Sequence, residues 1–118
     1  MSLRKRLREL NPRAFLVGEV WEDASNKIAY NIRRRYFTRN QLDSVMNYPW
    51  RKAILDFARG DDDGWALRRA IMSLAENYPA GVLNANLNLL SSHDVSRAIT
   101  MLLDPTDGDR EDLAKRLA

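Results

Sequence analysis

Cysteine is missing from this chain of 118 residues, and histidine occurs once. No disulfide or thiolate-bound metal can form, and the redox compartment is left open. No metal site and no cofactor are expected. Long apolar runs are missing too: nothing approaches the roughly 20 residues that cross a bilayer. The start, Met1-Ser-Leu-Arg-Lys-Arg-Leu-Arg8, is basic but has no apolar stretch behind it, so it does not read as a secretory signal. A cytoplasmic location without membrane contact is the expectation.

What is present suits a soluble globular chain: 45% apolar residues, 30% charged residues and a formal net charge of +3. The isoelectric point of about 9.5 invites a nucleic-acid reading. The basic residues are dispersed, however. The densest cluster, Arg33-Arg34-Arg35, stands beside Tyr36 and Phe37 without a helix-turn-helix, zinc-finger or RNA-binding signature. It reads as a solvated face, and no nucleic-acid partner is expected. The length suits one small domain and excludes a whole (β/α)8 barrel, which needs roughly 250 residues.

Leu3, Leu7 and Leu10 recur at helical steps, which predicts a basic amphipathic helix over 3–10. Asn11-Pro12 ends it, because a residue before proline avoids helical angles. Residues 14–20 (AFLVGEV) form a short apolar run, the pattern of a strand buried on both faces. A short helix is expected around 28–36. Residues 42–48 (LDSVMNY) read as a second strand, weakened by Asp43 and Asn47. Pro49 then suits the first turn of a helix over 50–58. The aspartates of Gly60-Asp-Asp-Asp-Gly64 can cap a further helix over 64–77. Residues 87–90 (LNLL) read as a third strand and 95–103 as a helix. Asp109 can cap a last helix that runs to the end of the chain.

Strands alternating with helices argue for a parallel sheet. Both termini fall inside expected helices, which suggests a piece of a larger α/β domain. In a parallel sheet the C-terminal strand ends share one edge, where active sites gather. Glu19 ends the first strand, Asn47 and Tyr48 the second, and His93 and Asp94 follow the third. Each has an ordinary alternative. Glu19 could cap a strand or pair with a cation, Asp94 could cap a helix, and His93 could be a satisfied buried imidazole.

The flanking residues add to this. Phe15-Leu-Val-Gly-Glu-Val-Trp21 and Leu87-Asn-Leu-Leu-Ser-Ser-His-Asp94 resemble two regions of the α-amylase family of glycoside hydrolases, at the ends of its fifth and seventh barrel strands. Between them, Gln41-Leu-Asp-Ser-Val-Met-Asn-Tyr-Pro49 is similar to the sixth strand of the neopullulanase, cyclomaltodextrinase and maltogenic amylase branch. Ser92-His93-Asp94 also favours that branch. Val95-Ser96 departs from its common Thr-Pro, while Arg97 matches.

The resemblance implies a single partial catalytic barrel over 1–118, about the fourth to the seventh helix, with three parallel strands. It implies that Glu19 is the general acid/base and Asp94 the carboxylate that stabilises the transition state. His93, Trp21, Asn47 and Tyr48 would bind sugar. The family's nucleophilic aspartate, preceded by an arginine on the fourth strand, has no counterpart here. The expected activity of a complete protein is retaining hydrolysis of α-glucosidic bonds in cyclodextrins, pullulan or starch oligosaccharides, and none is expected of these residues alone. Open sheet edges and an uncovered sheet face predict a homodimer. The competing reading is a free-standing, non-catalytic α/β interaction module.

Overall fold

The computed structural model describes residues 3–38 and 41–103. Helix α1 spans Leu3–Leu10, as its periodicity predicts, but buries none of its residues. It is attached by charge. Arg4 and Arg8, one turn apart on a single face, both bond the Asp43 carboxylate. The other Asp43 oxygen accepts the Leu16 N–H at 2.9 Å. Burial alone would raise the Asp43 carboxyl; the hydrogen bonds from Arg4 and Leu16 and the two guanidinium charges outweigh it and hold its pKa below the ordinary value.

The strands are shorter than the apolar runs suggest. Strand β1 (Val17–Gly18) pairs in parallel with β4 (Ser44–Val45). A parallel bridge from Met46 to Leu87 continues the sheet. Ladder bonds from Met46 N to Gly18 O and from Asn47 N to Leu87 O, each 2.9 Å, mark the two seams. The expected strand over 87–90 is therefore a single paired residue. The Asn88 N–H turns back onto the Asn86 carbonyl, which takes it out of the ladder. Gly18 leaves no room for a side chain: a Cβ there would collide with the Leu42 side chain.

Among the described residues, the connection from β1 to β4 holds no helix. The expected helix around 28–36 is instead an antiparallel hairpin of β2 (Ile28–Ala29) and β3 (Ile32–Arg33). Tyr30 and Asn31 sit at its tip with φ of 54° and 59°. Two positive φ angles in succession reverse the chain with the twist that a tight hairpin needs, and helical hydrogen bonding stops there.

Helix α2 (Tyr48–Arg59) begins two residues before the expected start. Asn47 Oδ1 accepts the Trp50 N–H, Pro49 lies in the first turn, and Gly60 closes the helix at φ 82°. Helix α3 (Gly64–Asn77) has the expected bounds, capped by Asp63 through the Ala66 N–H at 2.8 Å. A short helix α4 (Ala80–Asn84) follows Pro79. Helix α5 (Ala98–Leu102) starts three residues later than expected, because Val95 is bridged to Ser92. The helix expected from Asp109 lies outside the described residues. None of the helices among the described residues is long and apolar enough to cross a membrane.

One core cluster joins Val20 and Ala24 to Val45, Leu74 and Tyr78, with Tyr36 and Phe37 packed against it. The irregular connection thus fills the place of a crossover helix. A second cluster joins Leu55 of α2 to Ala98 and Leu102 of α5. It seats the segment after Leu87 on the second helix.

Candidate active site

The parallel register carries Glu19, Tyr48 and the His93–Asp94 turn past the same ends of β1, β4 and the Leu87 bridge. Tyr48 connects them. It is 5% exposed, and its hydroxyl lies 3.4 Å from Glu19 Oε1, to which it donates, and 3.2 Å from Ser92 Oγ. Ser92 Oγ accepts the Asp94 N–H at 3.3 Å. A chain of polar contacts therefore runs from the first strand end to the turn after the third.

Trp21 lies over the Tyr48 ring, centroids 4.1 Å apart and planes 13° from parallel. Trp21 is 48% exposed, so the stack offers a flat aromatic surface beside an exposed carboxylate. That pairing suits a sugar, whose C–H face packs on a ring while its hydroxyls meet charged acceptors.

His93 and Asp94 are the two central residues of the turn closed by the Ser92–Val95 bridge. His93 Nε2 and Asp94 Oδ2 are 3.1 Å apart, an ion pair when the imidazole is protonated. Both residues are exposed. His93 is thus no buried imidazole. Nor is Asp94 the cap of the next helix, where Ser91 Oγ accepts the Ala98 N–H at 2.8 Å.

Asn47 is the expected site residue that the structure sets apart. It is 3% exposed and bonded at both ends of its amide, to Asn88 Oδ1 at 2.9 Å and to the Trp50 N–H. Ser92, named from sequence only as part of Ser92-His93-Asp94, joins the site through its hydroxyl. A serine in a turn gives no local signal that its partner is a tyrosine 44 residues away.

No family model matches the sequence. Curated relatives do. Cyclomaltodextrinase of Geobacillus thermopakistaniensis is 33% identical over 101 residues, which cover 85% of this chain and 16% of the relative. Neopullulanase 2 of Thermoactinomyces vulgaris is 34% identical over 100 residues, covering 84% and 16%. Amylopullulanase of Thermoanaerobacterium saccharolyticum is 32% identical over 130 aligned residues, covering 98% and 9%. Among solved structures, the ligand-free cyclic α-maltosyl-(1→6)-maltose hydrolase of Arthrobacter globiformis superposes with a TM-score of 0.71 at 29% identity. That match covers 84% of this chain and 21% of the hydrolase. Over most of its length the chain is similar to glycoside hydrolases of the α-amylase family, in sequence and in fold. It spans about 16% of the length of the first two relatives named.

Proposed function

We propose that these residues form the fifth to seventh strands and adjoining helices of a (β/α)8 barrel whose complete protein hydrolyses α-glucosidic bonds with retention. Cyclodextrins, pullulan and starch oligosaccharides are the substrates this reading favours. The observation that carries it is the parallel alignment of β1, β4 and Leu87, with Glu19, Tyr48 and His93–Asp94 following each at one edge.

In this reading Glu19 protonates the leaving glycosidic oxygen and then deprotonates the attacking water. Asp94 accepts hydrogen bonds from sugar hydroxyls as the ring distorts toward the oxocarbenium ion, and His93 donates to the same sugar. The Trp21–Tyr48 stack is the platform on which the sugar rests. Asn47 serves the site by fixing the start of α2, which sets the Tyr48 ring under Trp21. The nucleophile, an aspartate of the fourth strand, belongs to the rest of the barrel.

The test compares two proteins. The full-length protein should release reducing sugar from β-cyclodextrin and pullulan, with the new anomeric centre in the α configuration. The 118-residue chain should release none above a buffer blank, because an acid without its nucleophile cannot form the glycosyl-enzyme. Reproducible turnover by the short chain, lost in Glu19→Gln, would overturn this reading.

Isolated, the chain should pair with a second copy. Phe15, Val17 and Leu87 are 55%, 37% and 49% exposed on or beside the strands that a barrel interior would cover. At about 25 cal/mol per Å², covering a few hundred Å² of such surface stabilises by several kcal/mol. Light scattering after size exclusion should show a dimer that dissociates on dilution. A 13.6 kDa monomer at every concentration would count against it.

A further inference from the structure

We propose that Arg51 is the positioning residue of the His93–Asp94 turn. The proposal rests on the reading of that turn as part of the sugar site. Arg51 lies in the first turns of α2 and is 8% exposed. A guanidinium so buried calls for a carboxylate, and among the described residues no ion pair includes Arg51. Its donors go to the backbone on either side of the turn instead. Nε donates to the Leu90 carbonyl at 2.9 Å, and Nη2 donates to the Ser96 carbonyl at 2.8 Å. The same Nη2 lies 3.1 Å from Met101 Sδ on α5.

Leu90 and Ser96 bracket the turn on both sides. One rigid, planar cation therefore ties together the two ends of the segment that carries His93 and Asp94. Inside the bracket the Ser92–Val95 bridge and the bond from the Asp94 N–H to Ser92 shape the turn. Its attachment to the rest of the molecule comes from α2, through Arg51 at the two flanks and through the Tyr48 hydroxyl beside Ser92 Oγ. Arg51 and Tyr48 lie on successive positions of one helical face, three residues apart. Tyr48 reaches Glu19 and Ser92, and Arg51 reaches the turn's two flanks. The distance between the acid/base and the transition-state carboxylate is thus set by one helix.

Lysine is no equivalent. Its ammonium is a single point on a flexible stem, whereas the guanidinium presents donors in a fixed fork that spans two acceptors. Arg51→Lys should keep the charge and one carbonyl while releasing the other.

The test is amide hydrogen exchange on the 118-residue chain. In Arg51→Lys, amides of residues 91–97 should exchange about tenfold faster or more, with those of α3 unchanged. Arg51→Met should enlarge the effect, and the lysine variant serves alone if the methionine variant does not fold. Equal acceleration in α2, α3 and the turn, or none, would overturn the proposal. In the full-length protein, Arg51→Lys should lower kcat about tenfold with KM little changed. Faster exchange in the turn at unaltered kcat would uphold Arg51's hold on the turn and refute the sugar-site role of Asp94.

Discussion

Glu19→Gln in the full-length protein is expected to lower kcat on β-cyclodextrin by about 10³-fold, within the 10²–10⁴ that general acid–base catalysis contributes. Glutamine keeps the shape and the contact with Tyr48 but has no proton to give to a departing sugar. The lost interaction belongs to the transition state, so KM should move much less than kcat. In the role proposed for Asp94, a charge that stabilises a developing oxocarbenium ion is replaced by a neutral amide, so Asp94→Asn should cost about as much. His93→Ala should be milder. A hydrogen bond that involves a charged group is worth about 1.5–3 kcal/mol, roughly 10–150-fold in rate. Steady-state kinetics of the three variants at one pH, with circular dichroism to verify folding, checks the order. Near wild-type kcat for Glu19→Gln would remove its assignment.

The largest stability effect should come from Asp43→Ala. This carboxylate is buried, with its side chain 5% exposed, and it holds Arg4, Arg8 and the Leu16 N–H together. Removing it takes away the acceptor that Arg4, Arg8 and the Leu16 N–H share; with Arg8 half exposed to water, the cost should be about 1–3 kcal/mol. That is a sizeable part of the roughly 5–15 kcal/mol margin of a typical domain. Helix α1, which buries nothing of its own, should detach first. The pH dependence follows from the lowered pKa of Asp43. The pair's contribution is complete above the unfolded aspartate pKa of 3.8 and is lost as pH falls from there through the folded value. Urea unfolding at neutral pH should therefore separate wild type from Asp43→Ala widely. The gap should narrow as the pH drops below about 4. A gap that stays constant with pH would show that the carboxylate's charge contributes nothing.

Asp43 also shows where local reading stops. In the sequence it looks like a blemish in a strand, as Asn47 does; in the structure both are buried and fully bonded. Their partners lie 39 and 41 residues away, beyond any periodicity. Features governed by near neighbours are legible. Asp63, Gly60 and Pro49 mark helix ends, Asp63 through its side chain and the other two through their backbone geometry, and α1 and α3 fall where the pattern places them. The hairpin is not legible, because Tyr30-Asn31 is an unusual pair for two positive φ angles, a place where glycine is the common signal. At the site, the parallel edge made Glu19, Tyr48 and the His93–Asp94 turn visible as a group. The Tyr48–Ser92 contact and the Arg51 bracket were not visible, since each joins segments about 40 residues apart.

The assignment of Glu19 is tested most directly by azide rescue of Glu19→Ala in the full-length protein, with α-maltosyl fluoride as substrate. Fluoride leaves without an acid, so the glycosyl-enzyme still forms. Its hydrolysis then stalls for want of a base to deprotonate water. Azide needs no deprotonation. The rate should rise with azide concentration, and the product should be the α-glycosyl azide, formed by a second inversion at the same carbon. A β-glycosyl azide would make Glu19 the nucleophile. No rescue in a folded variant, with activity otherwise like wild type, would remove it from the chemistry.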